Sequence, residues 1–305
     1  MTKDELKLIQ SYPLEVKVKK SLLRIMEFVE QIGEENCYIS FSGGKDSTVL
    51  LHLVRSLYPN ITAVFSDTGL EFPEIKEFVK TFENIEIIKP KVSFKEVIEQ
   101  EGYPIISKQV ANTVKYARKN IKEGKNTLRV RQIKGLEKGS KFNKGKYEYL
   151  LNAPFKISDK CCTLLKKDPI KDYEKRTGKK PIIGTLATES MVRESTYLKT
   201  GCNSFEEGKE KSTPLGFWTE QDILEYIYKY NIKICSVYGN IKEENNTYIT
   251  TGYSRTGCVF CAFGSHLEPS PNRFEKLKES HPKLHNYCIN KLGMGEVLDF
   301  IGVKY

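Results

Sequence analysis

Three short apolar segments, Cys37-Tyr38-Ile39-Ser40-Phe41, Ile61-Thr62-Ala63-Val64-Phe65 and Ile85-Glu86-Ile87-Ile88, recur with a helix-length stretch between each pair. No other feature narrows the possible folds so far. Residues 47–54 are apolar on most sides, and 73–82 open with Pro73, which suits a first helical turn. Strands joined through helices must run parallel, with right-handed crossovers. The expected fold class is therefore α/β, a doubly wound parallel sheet, with a small cysteine-rich C-terminal segment after it. Such sheets bind ligands at the C-terminal ends of their strands. The Gly43-Gly44 turn and the Ser66-Asp67-Thr68-Gly69 turn both fall there.

Around this nucleus the chain divides into an N-terminal helical segment (1–33), a nucleotide-binding domain (34–200) and a C-terminal segment (201–305). Val18, Leu22, Ile25, Met26 and Val29 recur at helical spacing, which predicts an amphipathic helix over 14–32. Further helices are expected near 107–120, over 219–230 with Thr219 as its cap, and over 273–278, with a strand at 182–184. The net charge is +10, and residues 115–146 hold twelve Lys and Arg against only Glu123 and Glu137. This basic insertion is either a solvated excursion or a contact surface for nucleic acid. No apolar run approaches the roughly 18 residues of a spanning helix, so no membrane partner is expected. Met1-Thr2-Lys3-Asp4-Glu5-Leu6 is not followed by a signal-peptide core, which leads to a cytoplasmic expectation. In such a compartment the eight cysteines stay thiols or bind metal.

The segment Ser42-Gly43-Gly44-Lys45-Asp46-Ser47 joins a strand to a helix. Two glycines permit positive φ and a close backbone approach to an oxyanion. The helix start offers free N–H groups and the positive end of its dipole. Lys45 adds a point charge, and the Ser42 and Ser47 hydroxyls can donate to phosphate oxygens. Asp46 would repel phosphate directly, so its expected task is to cap the helix or to hold Mg²⁺. The segment resembles the PP-loop of the N-type ATP pyrophosphatases, written SGGxDS, which implies a Rossmann-like PP-loop fold and ATP with Mg²⁺. In that superfamily the end of the second strand holds the adenosine. The resemblance therefore implies contact by Asp67, Thr68 and Gly69. Ser66-Asp67-Thr68-Gly69-Leu70-Glu71-Phe72-Pro73-Glu74 is similar to the corresponding stretch of the phosphoadenosine phosphosulfate (PAPS) reductase family.

Cys161-Cys162 and Cys258-Val259-Phe260-Cys261 together provide four thiolates, a complete shell for a 4Fe–4S cluster or for zinc. An adjacent pair is unusual for zinc. The pattern resembles the iron–sulfur ligands of adenylylsulfate (APS) reductases and of the ATP pyrophosphatases of DNA phosphorothioation. Lys160, Lys166, Lys167 and Arg255 flank the four cysteines and would offset an anionic cluster. Cys37 and Cys235 read as core residues, while Cys202 and Cys288 are ambiguous.

Pro214-Leu215-Gly216-Phe217-Trp218-Thr219-Glu220-Gln221-Asp222-Ile223 is also similar to a segment of the PAPS reductase family, with Trp218 expected in the core. Two features depart from that family. The Glu-Cys-Gly-Leu-His motif of true sulfonucleotide reductases does not occur, and Ala187 stands where an arginine is common, leaving Arg193 as a phosphate or sulfate contact. The resemblance thus implies an ATP pyrophosphatase that transfers adenylyl to an acceptor. Lys45, Asp46 and Arg193 would be catalytic, sulfur would pass to a nucleic acid or another acceptor, and a cysteine desulfurase or thioredoxin would donate it. The alternatives are a thioredoxin-dependent PAPS or APS reductase and a non-catalytic nucleotide sensor or nucleic-acid-binding partner.

Overall fold

The computed structural model describes all of residues 1–305. Its helices in chain order are α1 (Lys3–Gln10), α2 (Leu14–Ile32), α3 (Lys45–Leu57), α4 (Pro73–Lys80), α5 (Phe94–Gln100), α6 (Lys108–Lys122), α7 (Leu128–Ile133), α8 (Asp168–Thr177), α9 (Met191–Thr200), α10 (Glu220–Lys229), α11 (Arg273–Ser280), α12 (Pro282–Asn286) and α13 (Met294–Phe300). Its strands are β1 (Cys37–Ser40), β2 (Ala63–Ser66), β3 (Ile85–Ile88), β4 (Ile105–Ile106), β5 (Lys180–Ile183), β6 (Asn203–Ser204), β7 (Lys211–Ser212), β8 (Ile241–Glu244), β9 (Thr247–Thr250) and β10 (Ala262–Phe263). No helix is long and apolar enough to cross a membrane. Two units emerge. The first comprises Met1–Asp67, Glu71–Lys89 and Ile170–Thr256; the second comprises Thr68–Leu70, Pro90–Pro169 and Gly257–Tyr305. Residues on both sides of position 200 thus lie in the first unit.

The first unit is built on the expected parallel sheet, in the order β3-β2-β1-β5-β7-β6. Only the edge strand β6 runs antiparallel, against β7. The chain steps from β1 outward to β3 and resumes with β5 on the other side of β1. The strand order therefore reverses between β1 and β5, where open α/β sheets bind their ligands. Tyr38 and Val64 face one side of the sheet, and Tyr173 and Ile170 pack onto them. The Tyr38 and Tyr173 rings meet edge-on at 5.1 Å, and Tyr38 Oη donates to Glu174 at 2.8 Å. Helices α2, α3 and α10 pack against one another, and Trp218 is fully buried, as expected.

Helix α2 spans the expected residues, but its buried face is rotated. Leu14, Lys17, Ser21, Ile25, Phe28 and Val29 point inward, while Met26 is exposed. Hydrophobic spacing alone misses this because two polar residues find internal partners. Lys17 Nζ bonds both oxygens of Asp222, at 2.7 and 2.8 Å. Ser21 Oγ donates to the Pro214 carbonyl at 2.8 Å and accepts from Trp218 Nε1 at 2.9 Å. Buried polar groups are tolerated when paired in this way. Asp222 also closes the capping box with Thr219 that starts α10.

In the second unit β10 pairs parallel with β4, matching Ala262 to Ile105 and Phe263 to Ile106. The basic insertion is a packed helical hairpin, with Val114, Ala117, Val130 and Ile133 buried. Much of its charge is used internally. Arg118 donates to the carbonyls of Leu150, Ala153 and Phe155, Lys115 pairs with Glu101, and Arg131 pairs with Glu137 at 2.8 Å. Lys125 pairs with Glu123 at 2.7 Å.

Candidate active site

The glycine-rich loop leaves β1 and enters α3 beside the switch in strand order. Its two glycines do different work. Only Gly43 has a positive φ, of 70°, and a Cβ there would lie 2.9 Å from Ile75 Cγ2 and 3.0 Å from Val79 Cγ2. Gly44 is extended, with φ −78° and ψ 159°, and is the N-cap of α3. Of the two glycines, one therefore uses the positive φ that glycine permits, and the other, Gly44, supplies bare backbone rather than an unusual turn. The serines hold the loop closed. Ser47 Oγ donates to the Gly44 carbonyl at 2.9 Å and lies 3.0 Å from Ser42 Oγ.

Lys45 is nearly fully buried. Its ammonium bonds the Ser254 carbonyl and Glu220, each at 3.0 Å. Its backbone N–H donates to Tyr238 Oη at 3.3 Å, and Tyr238 in turn lies 3.0 Å from Thr256 Oγ1. Asp46 is not the cap of α3: the N-cap position is Gly44, which has no side chain, and the Lys45 N–H is taken by Tyr238 instead. Its Oδ1 is buried without a hydrogen-bond partner. Burial raises the carboxyl above its ordinary range; the Lys45 charge opposes this, Glu220 adds to it, and Arg255 opposes it. Arg193 pairs with Glu189, and its charge also interacts with those of Asp46 and Arg255. Arg255, read from the sequence as a flank of the cysteine knuckle, thus acts on the loop. An orphaned carboxylate oxygen among Lys45, Arg193 and Arg255 fits a hard cation carrying an anionic ligand. Tyr238, Glu220 and Ser254 carry no sequence signal that ties them to the loop, because only folding brings them there. Asp67 Oδ1 pairs with Lys76 at 2.6 Å, and the Asp67 N–H donates to the Ile88 carbonyl at 2.9 Å. Thr68 is buried, and Gly69 has φ 77° with open space where a side chain would stand.

The four cysteines all belong to the second unit. Residues 103–106 form their scaffold. Tyr103 bridges to Ile157, just before Cys161-Cys162, and β4 pairs with β10, just after the Cys258–Cys261 knuckle. Gly102 is required there, since a Cβ would stand 2.4 Å from the Lys156 carbonyl carbon. Cys161 Sγ lies 4.0 Å from Cys162 Sγ, and a π-helical turn, Thr163–Lys167, follows. In the knuckle the Cys261 N–H donates to the Cys258 carbonyl at 3.1 Å, and the Cys261 carbonyl accepts from Arg273 at 2.8 Å. No group of three metal-ligating side chains is drawn together, yet Cys161 interacts electrostatically with Cys162, Cys261 and Cys258. The Cys161 thiol is driven well up by its hydrogen bond to Cys162 and by burial. Cys162 is held down by that same bond, with help from Lys108 and Lys166. Lys166 was expected near the pair; Lys108 was not. It arrives through Ile106, whose φ of 62° is rare for a β-branched residue and turns the chain from β4 into α6. Cys37, Cys202, Cys235 and Cys288 are buried, the first and third as expected.

A model of the phosphoadenosine phosphosulfate reductase domain matches residues 36–119 and 106–263. Among curated proteins, an uncharacterized protein of Methanocaldococcus jannaschii is 26% identical over 283 residues, 90% of this chain but 52% of that protein. The chain thus spans about half the length of that relative. The adenosine 5′-phosphosulfate reductase of Staphylococcus epidermidis is 24% identical over 247 residues, covering 79% of this chain and 76% of the enzyme. Among solved structures, the phosphoadenylyl-sulfate reductase of Candida auris in its phosphate complex aligns with a TM-score of 0.42 at 15% identity. That alignment covers 81% of this chain and 98% of the other.

Proposed function

Because the chain belongs to the phosphoadenosine phosphosulfate reductase domain family, we propose that it is an ATP pyrophosphatase that transfers adenylyl to an acceptor and prepares it to receive sulfur. The observation that carries this is the buried, unpartnered Oδ1 of Asp46 among the cations Lys45, Arg193 and Arg255, at the mouth of a glycine turn. That arrangement suits a magnesium-bound polyphosphate better than a lone sulfate. An acceptor oxygen would attack the α-phosphorus, and the bonding pair would leave with pyrophosphate. The outer sulfur of a cysteine desulfurase persulfide would then displace AMP from the acceptor carbon, and a dithiol such as thioredoxin would reduce the remaining S–S bond, releasing the thiolated acceptor and leaving thioredoxin as its disulfide.

Lys45 stabilises the leaving pyrophosphate once it exchanges Glu220 and Ser254 for phosphate oxygens. Gly44 lets backbone N–H groups reach the phosphates, with the Ser42, Gly43 and Ser47 turn behind it. Asp46 would hold Mg²⁺, Arg193 would contact the α-phosphate, and the Asp67, Thr68 and Gly69 backbone would take the adenosine. Cys161, Cys162, Cys258 and Cys261 would hold a 4Fe–4S cluster. An all-thiol donor set attended by the cations Lys108 and Lys166 fits such an anionic group, zinc being the alternative. When bound, the cluster would supply a site that carries or orients sulfur.

Pyrophosphate release from ATP tests this. Lys45→Ala is expected to lower it by about 10²–10³-fold, the usual loss when a transition-state charge partner is removed. Absence of release with nucleic acid and a sulfur donor present sinks the proposal. Iron and sulfide content of anaerobically prepared protein decides between cluster and zinc. The likeness to the Staphylococcus epidermidis enzyme favours a second reading, thioredoxin-dependent reduction of a sulfonucleotide. Sulfite release is its measure.

A further inference from the structure

The second unit contains an open cavity of about 610 Å³ between α6 and α7, bordered by Lys144 and Asp159. Its size falls within the usual range of small-ligand sites, about 300–1,000 Å³. The four cysteines do not line it. Its chemistry is uncommon for a surface hollow. Lys144 is only 6% exposed, and its ammonium bonds one neutral group, the Phe142 carbonyl at 3.1 Å. No carboxylate pairs with it. Arg129, on the same wall, has no carboxylate partner either and stacks over the Tyr116 ring at 5.2 Å. Burial and the neighbouring Arg129 charge both push the Lys144 ammonium pKa down, so the fold holds two cations together at a cost. An anion seated between them would remove that cost.

The remaining wall is suited to a base. Tyr116 presents a partly exposed ring already sandwiched on one side by a guanidinium. Asn112 donates to both oxygens of Asp159, at 3.3 and 3.4 Å, and this pair sets an amide beside a carboxylate in the cavity. Asp159 would oppose a bare anion nearby, but it matches the N–H donors on the edge of a nucleobase. Gln109 and Gln132 add two more amides. Aromatic stacking, phosphate-binding cations and base-edge amides together are the recognition set for an unpaired nucleotide. Lys108 also lines the cavity and acts electrostatically on Cys162, so one residue joins this wall to the cysteine pair.

We propose that this cavity seats one unpaired nucleotide of a single-stranded nucleic acid, with its phosphate between Lys144 and Arg129 and its base on Tyr116. Naming that strand the acceptor of sulfur rests on the function proposed above; the binding itself does not. The twelve basic residues of the insertion are not equivalent. Lys115, Arg118, Lys125 and Arg131 are occupied internally, whereas Arg129 and Lys144 face the cavity.

The test is fluorescence anisotropy of the full chain with labelled single-stranded RNA and DNA, without ATP, at low and moderate salt. Arg129→Gln and Tyr116→Leu are each expected to weaken binding about tenfold or more. Lys138→Gln, an exposed lysine outside the cavity, removes the same charge as Arg129→Gln and is expected to change affinity less than about twofold. Duplexes of the same sequence should bind more weakly than single strands. Equal losses in Lys138→Gln and Arg129→Gln would reduce the effect to diffuse charge and overturn the proposal, as would preference for duplex. Tight binding of free 5′-mononucleotides with weak binding of strands would overturn the strand and assign the cavity to a free nucleotide. Thermal melting of Tyr116→Leu confirms that the fold is intact. Failure here leaves the pyrophosphate assay untouched, and absence of pyrophosphate release leaves this measurement untouched.

Discussion

Replacing Gly43 and Gly44 separately by alanine should split stability from nucleotide binding. Gly43→Ala forces an L side chain into left-handed backbone at φ 70°, which costs about 1–2 kcal/mol. Its new methyl also sits 2.9 Å from Ile75 Cγ2 and 3.0 Å from Val79 Cγ2, both on α4, and such overpacking adds about 1–3 kcal/mol. The sum, about 2–5 kcal/mol, corresponds to a fall in Tm of roughly 4–20 °C for a unit of ordinary domain size. Gly44→Ala meets neither problem. Its backbone is extended, and the new methyl approaches only two adjustable hydroxyls, Ser42 Oγ at 3.2 Å and Tyr238 Oη at 3.3 Å. Its stability loss should stay near or below about 1 kcal/mol, the usual difference between glycine and alanine at an N-cap. The methyl does cover the bare backbone that would face phosphate, so ATP affinity should fall by about tenfold or more. The assays are thermal melting and an ATP–Mg²⁺ binding titration on each variant. A Gly43→Ala protein that melts with the parent would refute the steric reasoning. A Gly44→Ala protein that binds ATP like the parent would refute the role given to the loop.

Two further outcomes follow from buried charges. Lys17→Met should destabilise the fold by about 3–5 kcal/mol, because it strands the buried Asp222 carboxylate; urea unfolding measures this, and adding Asp222→Asn should recover part of the loss if the ion pair is its cause. Asp46 carries a raised carboxyl pKa because of burial. The folded state therefore favours the protonated form. That contribution is fully present below the unfolded pKa and is lost as pH rises through the higher folded one. Asp46→Asn should flatten the stability change from the ordinary carboxylate range upward, and Mg²⁺ affinity of the parent should fall as Asp46 is protonated. Urea midpoints and Mg²⁺ titrations across that range check both.

Which parts of this protein were legible in the sequence follows from how local each feature is. The three apolar segments at 37–41, 61–65 and 85–88 announced the parallel sheet because strands covered by helices are hydrophobic; β1 and β2 are buried in this way, while the edge strand β3 is only partly buried. The glycine loop was legible because only glycine offers bare backbone at a turn into a helix. Thr219 was legible as a cap because capping spans four consecutive residues. The inward face of α2 was not, because Lys17 and Ser21 are buried by partners near residues 214–222, some two hundred positions away. Nor were the neighbours of the loop: Arg255 stands three residues before Cys258 in the chain, yet its charge acts on Asp46. The basic insertion looked uniform as a list of lysines and arginines. Folding used some of them on Glu101, Glu123, Glu137 and backbone carbonyls, and left Arg129 and Lys144 facing a cavity. Residue type and short spacing determined the strands, the turn and the supply of thiols. Tertiary structure alone decided which charges are neutralised and which remain, because ion pairing depends on distances between residues that the chain order does not set.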